Sequence, residues 1–182
     1  YSGERQDLCA YSRDLISWPP PGSSPLVISE HLGPADRLKL MHPECHMLRD
    51  PVEAAQLRMQ SGIKRPHCDP LLFDNPFNYA DFLANLFKRS MITFIKADGR
   101  PSNLGVFFVK KKDGKQRIIF DTRLLNTDFK DPPHTRLPTA ASMSSLEIPQ
   151  GCTAYMSHGD VSNAFYALGI PPDLSDKFRL PH

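Results

Sequence analysis

The run Gly105 to Asn126, GVFFVKKKDGKQRIIFDTRLLN, constrains this chain more than any other. Val106-Phe107-Phe108-Val109 is β-branched and aromatic, which suits a strand. Lys110-Lys111-Lys112 carries that strand out of the core into water. Asp113-Gly114 is a turn pair, because a tight hairpin needs positive φ and this dipeptide tolerates it. Arg117-Ile118-Ile119-Phe120 returns as a second strand, and Asp121 to Asn126 closes in a short turn or a single helical turn. The expectation is a β-hairpin with apolar roots and a tip bearing Lys110, Lys111, Lys112, Lys115 and Arg117. Five cations on one turn repel each other, so an anionic partner is one explanation. The other is a plain solvated charge run.

The charge distribution bears on that choice. The whole chain carries only +2 over 182 residues. From Lys88 to Arg136 there are 12 Lys and Arg against five Asp, or +7, so the remainder sums to −5. A basic block between acidic flanks suits a nucleic-acid or nucleotide surface. The length fits one domain, or one domain and a tail. Cys9, Cys45, Cys68 and Cys152 form no CxxC and give no disulfide pattern. No apolar run approaches the roughly 20 residues that span a bilayer, and no signal segment is visible. The expectation is an intracellular protein, nuclear or cytoplasmic, not secreted and without a membrane partner. The chain starts at Tyr1 and reads as an excerpt of something longer.

Ten of the 18 prolines fall in the first 76 residues, so residues 1–75 are expected to be loop-rich with one short helix. Trp18 to Pro25 is a linker by composition. His42, Cys45 and His46, with His67 and Cys68, form a loose His/Cys set. Its spacing fits no standard zinc finger, and it reads either as zinc ligands or as ordinary loop and core residues. Asp50-Pro51-Val52-Glu53 opens a helix with a cap, a first-turn proline and a capping box, and Ser61-Gly62 stops it. Asn75-Pro76 opens another, with Phe77, Ala80, Leu83, Ala84 and Phe87 as its expected core stripe. Met91 to Ile95 suits a strand or extended chain, and Asp98 to Asn103 a loop. Thr139 is placed to cap a helix over about 140–146. Thr153 to Val161 is expected as a strand ending near Asp160.

Two segments carry a family resemblance, VKKKDGKQRIIFDTRLLN and, downstream, Gly159-Asp160-Val161-Ser162-Asn163-Ala164-Phe165. The first resembles the fingers hairpin of reverse transcriptases, K-K-x-D-G followed by D-x-R-x-L-N. The second resembles their first catalytic motif, D-x-x-x-A-[FY]. Together they cover about the last half of the chain. Gly159 and His158 depart from the apolar, strand-forming residues usual before that aspartate.

The resemblance implies an α+β protein. Residues 76–182 would be the fingers and the start of the palm of a right-hand polymerase. It implies RNA-directed DNA synthesis with two Mg²⁺ or Mn²⁺ ions in the complete enzyme, and a template-primer and dNTP as partners. Asp160 becomes a catalytic metal ligand, since hard cations take carboxylate oxygens. Val161, Ser162, Asn163 and Ala164 become the cradle of the triphosphate. Phe165 becomes a ring under the sugar that excludes a 2′-hydroxyl, unless it is a core phenylalanine. Lys111 and Arg117 would contact the triphosphate. Phe107 would lie near the template base, with Lys110, Lys112 and Lys115 attracting backbone phosphates. The family's second motif contains Asp-Asp, and no Asp-Asp occurs in these 182 residues. This segment alone is therefore expected to be inactive, with the rest of palm, thumb and an RNase H part supplied elsewhere. Two other readings stand beside it: a domesticated or decayed nucleic-acid-binding module without catalysis, and an unrelated α+β domain with a basic hairpin.

Overall fold

The computed structural model describes residues 7–22, 24–135, 137–160 and 164–181. The chain is a mixed α and β protein with small sheets. The strands are β1 (Leu8–Cys9), β2 (Leu26–Val27), β3 (Gly105–Lys110), β4 (Gln116–Asp121) and β5 (Leu168–Gly169). The helices are α1 (Ile28–His31), α2 (Pro34–Met41), α3 (Pro43–His46), α4 (Pro51–Ser61), α5 (Pro70–Phe73), α6 (Pro76–Phe87), α7 (Arg123–Asn126), α8 (Ala140–Ser144) and α9 (Pro172–Ser175). Tyr1–Lys130 with Asn163–His182 form one compact unit, and Asp131–Ser162 a second. No helix among the described residues is long and apolar enough to cross a membrane.

In the first unit β3 and β4 make the expected antiparallel hairpin, with Phe107 opposite Ile119 and Val109 opposite Arg117. β1 adds to the far edge of β3 in the order β1-β3-β4. One face of this sheet presents Val106, Phe108 and Ile118 to Phe82 and Leu86 of α6, Leu72 of α5, and Tyr11 and Ile16. Phe82 meets Phe108 edge-on at 6.0 Å and Tyr11 lies 5.3 Å from Phe108. A buried ring carries a large apolar area, and such ring pairs add stabilisation beyond it. The core thus draws on both sides of residue 75.

Several elements form for the local reasons read in the sequence. The Asp50 side chain accepts from the Val52 N–H, and Gly62 ends α4 at φ +66°. The capping box expected from Glu53 does not form: its carboxylate pairs with Arg49 at 2.7 Å. Asn75 caps α6 through the N–H groups of Phe77 and Asn78. Thr139 and Ser142 cap α8 reciprocally.

Other expectations are corrected. Among the described residues of 1–75 there are five α-helices and a 3₁₀ turn, Arg13–Leu15, rather than one short helix. Proline opens most of them at a position where its missing N–H costs nothing. The linker reading fails at its front end. Trp18 packs against the core, with its ring 5.7 Å from Phe82 and the Arg89 guanidinium 4.8 Å above it. The stripe of α6 is rotated: Phe82 and Leu86 are fully buried, while Phe77 and Phe87 are 86% and 54% exposed. Tyr79, Phe82, Leu83 and Leu86 have the same helical spacing. They bury more apolar area than a stripe containing Ala80 and Ala84.

In the second unit every described residue of 131–160 is exposed, and α8 is its one regular element among them. Thr153 to Asp160 forms no strand. A strand needs a partner for its N–H and C=O groups, and Gly159 weakens this one further.

Candidate functional site

The hairpin tip is a longer loop than a two-residue turn. The Gly114 N–H donates to the Lys111 carbonyl at 3.0 Å and the Lys111 N–H to the Lys115 carbonyl at 2.7 Å. Gly114 takes φ +81°, and Asp113 keeps negative φ. The Asp113 carboxylate accepts from the Lys115 N–H at 3.0 Å. That bond, more than the nearby lysines, holds its pKa below the usual carboxylate range.

The five tip cations are not equivalent. Lys110, Lys112, Lys115 and Arg117 are exposed. Lys111 is half-buried and folds back, its Nζ 3.1 Å from the Ser17 hydroxyl and 3.5 Å from Asp113. Arg117 lies on the sheet face opposite the core, the face that also carries Phe107 and Ile119. Tyr166 stands beside it; burial raises the Tyr166 pKa and the Arg117 charge opposes that rise.

Much of the remaining basic block is engaged in structure. Asp121, with its side chain 2% exposed, accepts from Nε and Nη2 of Arg123 at 2.9 Å and from the N–H groups of His67 and Arg123. The Arg123 guanidinium, helped by these N–H donors, holds the Asp121 carboxyl well below its usual range. The D-x-R-x-L-N run therefore has a structural job, since Leu124 and Leu125 are also buried. Arg100 bridges Asp98 and Asp176, and the nearly buried Arg179 joins the same two carboxylates. Arg179, then Arg100, pull Asp98 and Asp176 to low pKa. This clasp ties 176–179 to the loop before β3, where the Arg179 carbonyl accepts from Asn103 and Leu104. The Tyr79 hydroxyl donates to the Pro181 carbonyl; burial, with the nearby Cys68, pushes its pKa up to about 12.

Two buried polar residues escaped the sequence reading. Gln116 donates to the Ala10 carbonyl at 2.6 Å and accepts from the Ser12 N–H at 3.0 Å. Asp69 accepts from Tyr11 and Leu72 N–H groups, while its own N–H donates to Val106 at 2.8 Å. Both join segments far apart in sequence; Asp69 also caps α5 ahead of Pro70, a local signal like that at Asp50-Pro51, whereas no local pattern marks Gln116.

Asp160 is exposed and lies in the second unit, outside regular structure. Val161, Ser162 and Asn163 lie outside the described residues. Ala164 and Phe165 belong to a 3₁₀ turn, Ala164–Ala167, in the first unit. Phe165 is 92% exposed, so it is not a core residue. Among the described residues no three His, Cys, Asp or Glu side chains gather to hold a metal, including His42, Cys45, His46, His67 and Cys68. Asp160 suits a hard divalent cation by donor type, but a two-metal centre needs more carboxylates than it brings.

No protein-family model, no curated protein and no solved structure matches this chain.

Proposed function

We propose that this chain is the fingers and the start of the palm of a reverse transcriptase, a partial right-hand polymerase fold. The observation that carries the reading is the hairpin. Its K-K-x-D-G turn projects Lys110, Lys112, Lys115 and Arg117 into solvent from strands rooted in an aromatic core. Arg offers phosphate a planar fork and Lys a point charge. On this reading the tip meets template-primer and dNTP, with Lys111 released from Ser17 to reach the triphosphate. Asp160 supplies one carboxylate to the Mg²⁺ or Mn²⁺ pair, whose other ligands belong to the rest of the palm. The 182 residues alone do not catalyse.

The test places the chain in a polymerase continued through palm and thumb. Asp160→Asn should abolish incorporation of every nucleotide. Phe165→Ala should keep dNTP incorporation and admit rNTPs, lowering the ratio of kcat/KM for dNTP over rNTP. An Asp160→Asn variant that still extends primers contradicts the assignment. So does a Phe165→Ala variant whose ratio is unchanged, as far as the sugar gate is concerned.

One observation favours a second reading, a nucleic-acid-binding module without catalysis. The stretch leading to Asp160 forms no strand, whereas the hairpin is fully built. A continued chain that binds template-primer but never extends it decides for that reading.

A further inference from the structure

α6 carries two apolar faces, and only one of them meets the core. Tyr79, Phe82, Leu83 and Leu86 turn inward. Phe77, Ala80, Ala84 and Phe87 lie away from it, within one arc of about 80° on a helix of 3.6 residues per turn. Both phenylalanines and Ala80 are exposed, and Ala84 is half-buried. Phe94 widens the stripe at one end, its ring 5.3 Å from that of Phe87 and itself 64% exposed. The polar side chains of α6 are used elsewhere. Asn78 donates to the Leu71 carbonyl at 3.0 Å, Asp81 pairs with Arg13 at 2.8 Å, and Asn85 bonds to Asp81 and Arg89. A helix that is apolar almost all round is ordinarily buried all round.

The outer stripe is symmetric. Its four residues follow at intervals of three, four and three, so Phe77 and Phe87 lie equally far from position 82, as do Ala80 and Ala84. Two copies of α6 crossing antiparallel about a two-fold axis at that level set Ala80 of one against Ala84 of the other, and Phe77 against Phe87. The alanine layer lets the helices come close, and the rings then meet in pairs at both ends. A two-fold interface must be complementary to itself, and this spacing is. The antiparallel arrangement also brings the end bearing Lys88 beside the end bearing Asp74, both exposed and opposite in charge.

We propose that the outer face of α6 is a homodimer interface, occupied by the same face of a second copy of this chain. Its size sets the strength. The exposed parts of Phe77, Phe87 and Phe94 amount to roughly 400 Å², taking about 200 Å² for a whole ring. That is about half of the ~800 Å² per partner in a standard interface. The dimer is therefore weak, with Kd on the order of tens of micromolar. This inference does not rest on the polymerase reading, and neither falls with the other.

The experiment is sedimentation equilibrium of the 182-residue chain. Between about 5 μM and 500 μM it should pass from monomer to dimer. Phe77→Asp and Phe87→Asp should each raise Kd at least about tenfold. Met59→Asp, which removes a comparably exposed apolar residue from α4, should change Kd less than about twofold. Ala80→Leu separates a packed interface from a sticky surface. It adds apolar area, so non-specific association would tighten, whereas a close alanine layer is forced apart and Kd rises. A parent chain that stays monomeric across the range overturns the proposal, and so does growth beyond a dimer, since a two-fold contact closes. A dimer that Ala80→Leu strengthens, that Phe77→Asp leaves intact, or that Met59→Asp weakens equally also overturns it. If either phenylalanine variant unfolds by circular dichroism, Ala80→Leu decides alone.

Discussion

Val106 to Val109 and Thr153 to Val161 both read as strands in the sequence; the first becomes β3, and Thr153 to Asp160 forms no strand. The difference lies in partners. β3 has β1 on one edge and β4 on the other, and Phe108 reaches into a cluster with Phe82 and Tyr11. Around Tyr155 every described residue is exposed, with Tyr155 itself at 92%. Strand propensity measures fit to a half-buried pleated surface, and where no such surface exists the propensity has nothing to act on. The hairpin is thus a finished platform, while the segment bearing Asp160 lacks the ladder that would aim its carboxylate.

Substitutions in the two units should differ widely in cost. Phe108→Ala should cost about 4 kcal/mol, as deletion of a fully buried ring does, read as a fall in urea midpoint at unchanged slope. Gly105→Ala should cost about 3 kcal/mol, because its Cβ meets the His67 backbone rather than a yielding side chain. A cost below about 0.5 kcal/mol would mean that residues 64–67 are not held against β3. Acid should loosen the first unit. Asp121, Asp98 and Asp176 all have folded-state pKa values below ordinary. Their contribution is complete above the unfolded carboxylate value of about 4 and is lost as pH falls toward the folded values. Asp121→Asn should therefore flatten the decline of stability measured between about pH 4 and pH 2, and an unaltered decline would remove Asp121 from that account. At the other extreme, Leu146→Ala in the second unit should change stability by less than about 0.5 kcal/mol. A larger cost would reveal packing that its 64% exposure does not show.

What was legible in the sequence was local. The Asp50, Asn75 and Thr139 caps, the Gly62 stop and the hairpin depend on neighbours within a few residues, and each formed. The phase of α6 was not legible. Two apolar stripes overlap there, and the choice between them was made by the sheet, through Phe108 and Ile118. Long-range polar ties were invisible for the same reason. Nothing near Gln116 announces Ala10 and Ser12, and nothing near Arg179 announces Asp98. Of the candidate site, the basic tip was readable as residues but not as geometry. Lys111 looked like its neighbours in sequence and proved to be drawn back to Ser17. The contact between the His67 and Phe107 rings had no sequence signal, because the two lie 40 residues apart.

On the polymerase reading, the hairpin meets phosphate through its exposed tip. The most direct measurement is the affinity of the 182-residue chain for a short DNA duplex as a function of salt. Four tip contacts, from Lys110, Lys112, Lys115 and Arg117, predict a slope of log K against log salt of roughly −3 to −4. Arg117→Ala should reduce that slope by about one. A flat response between low and physiological salt, in the parent chain, would contradict the account.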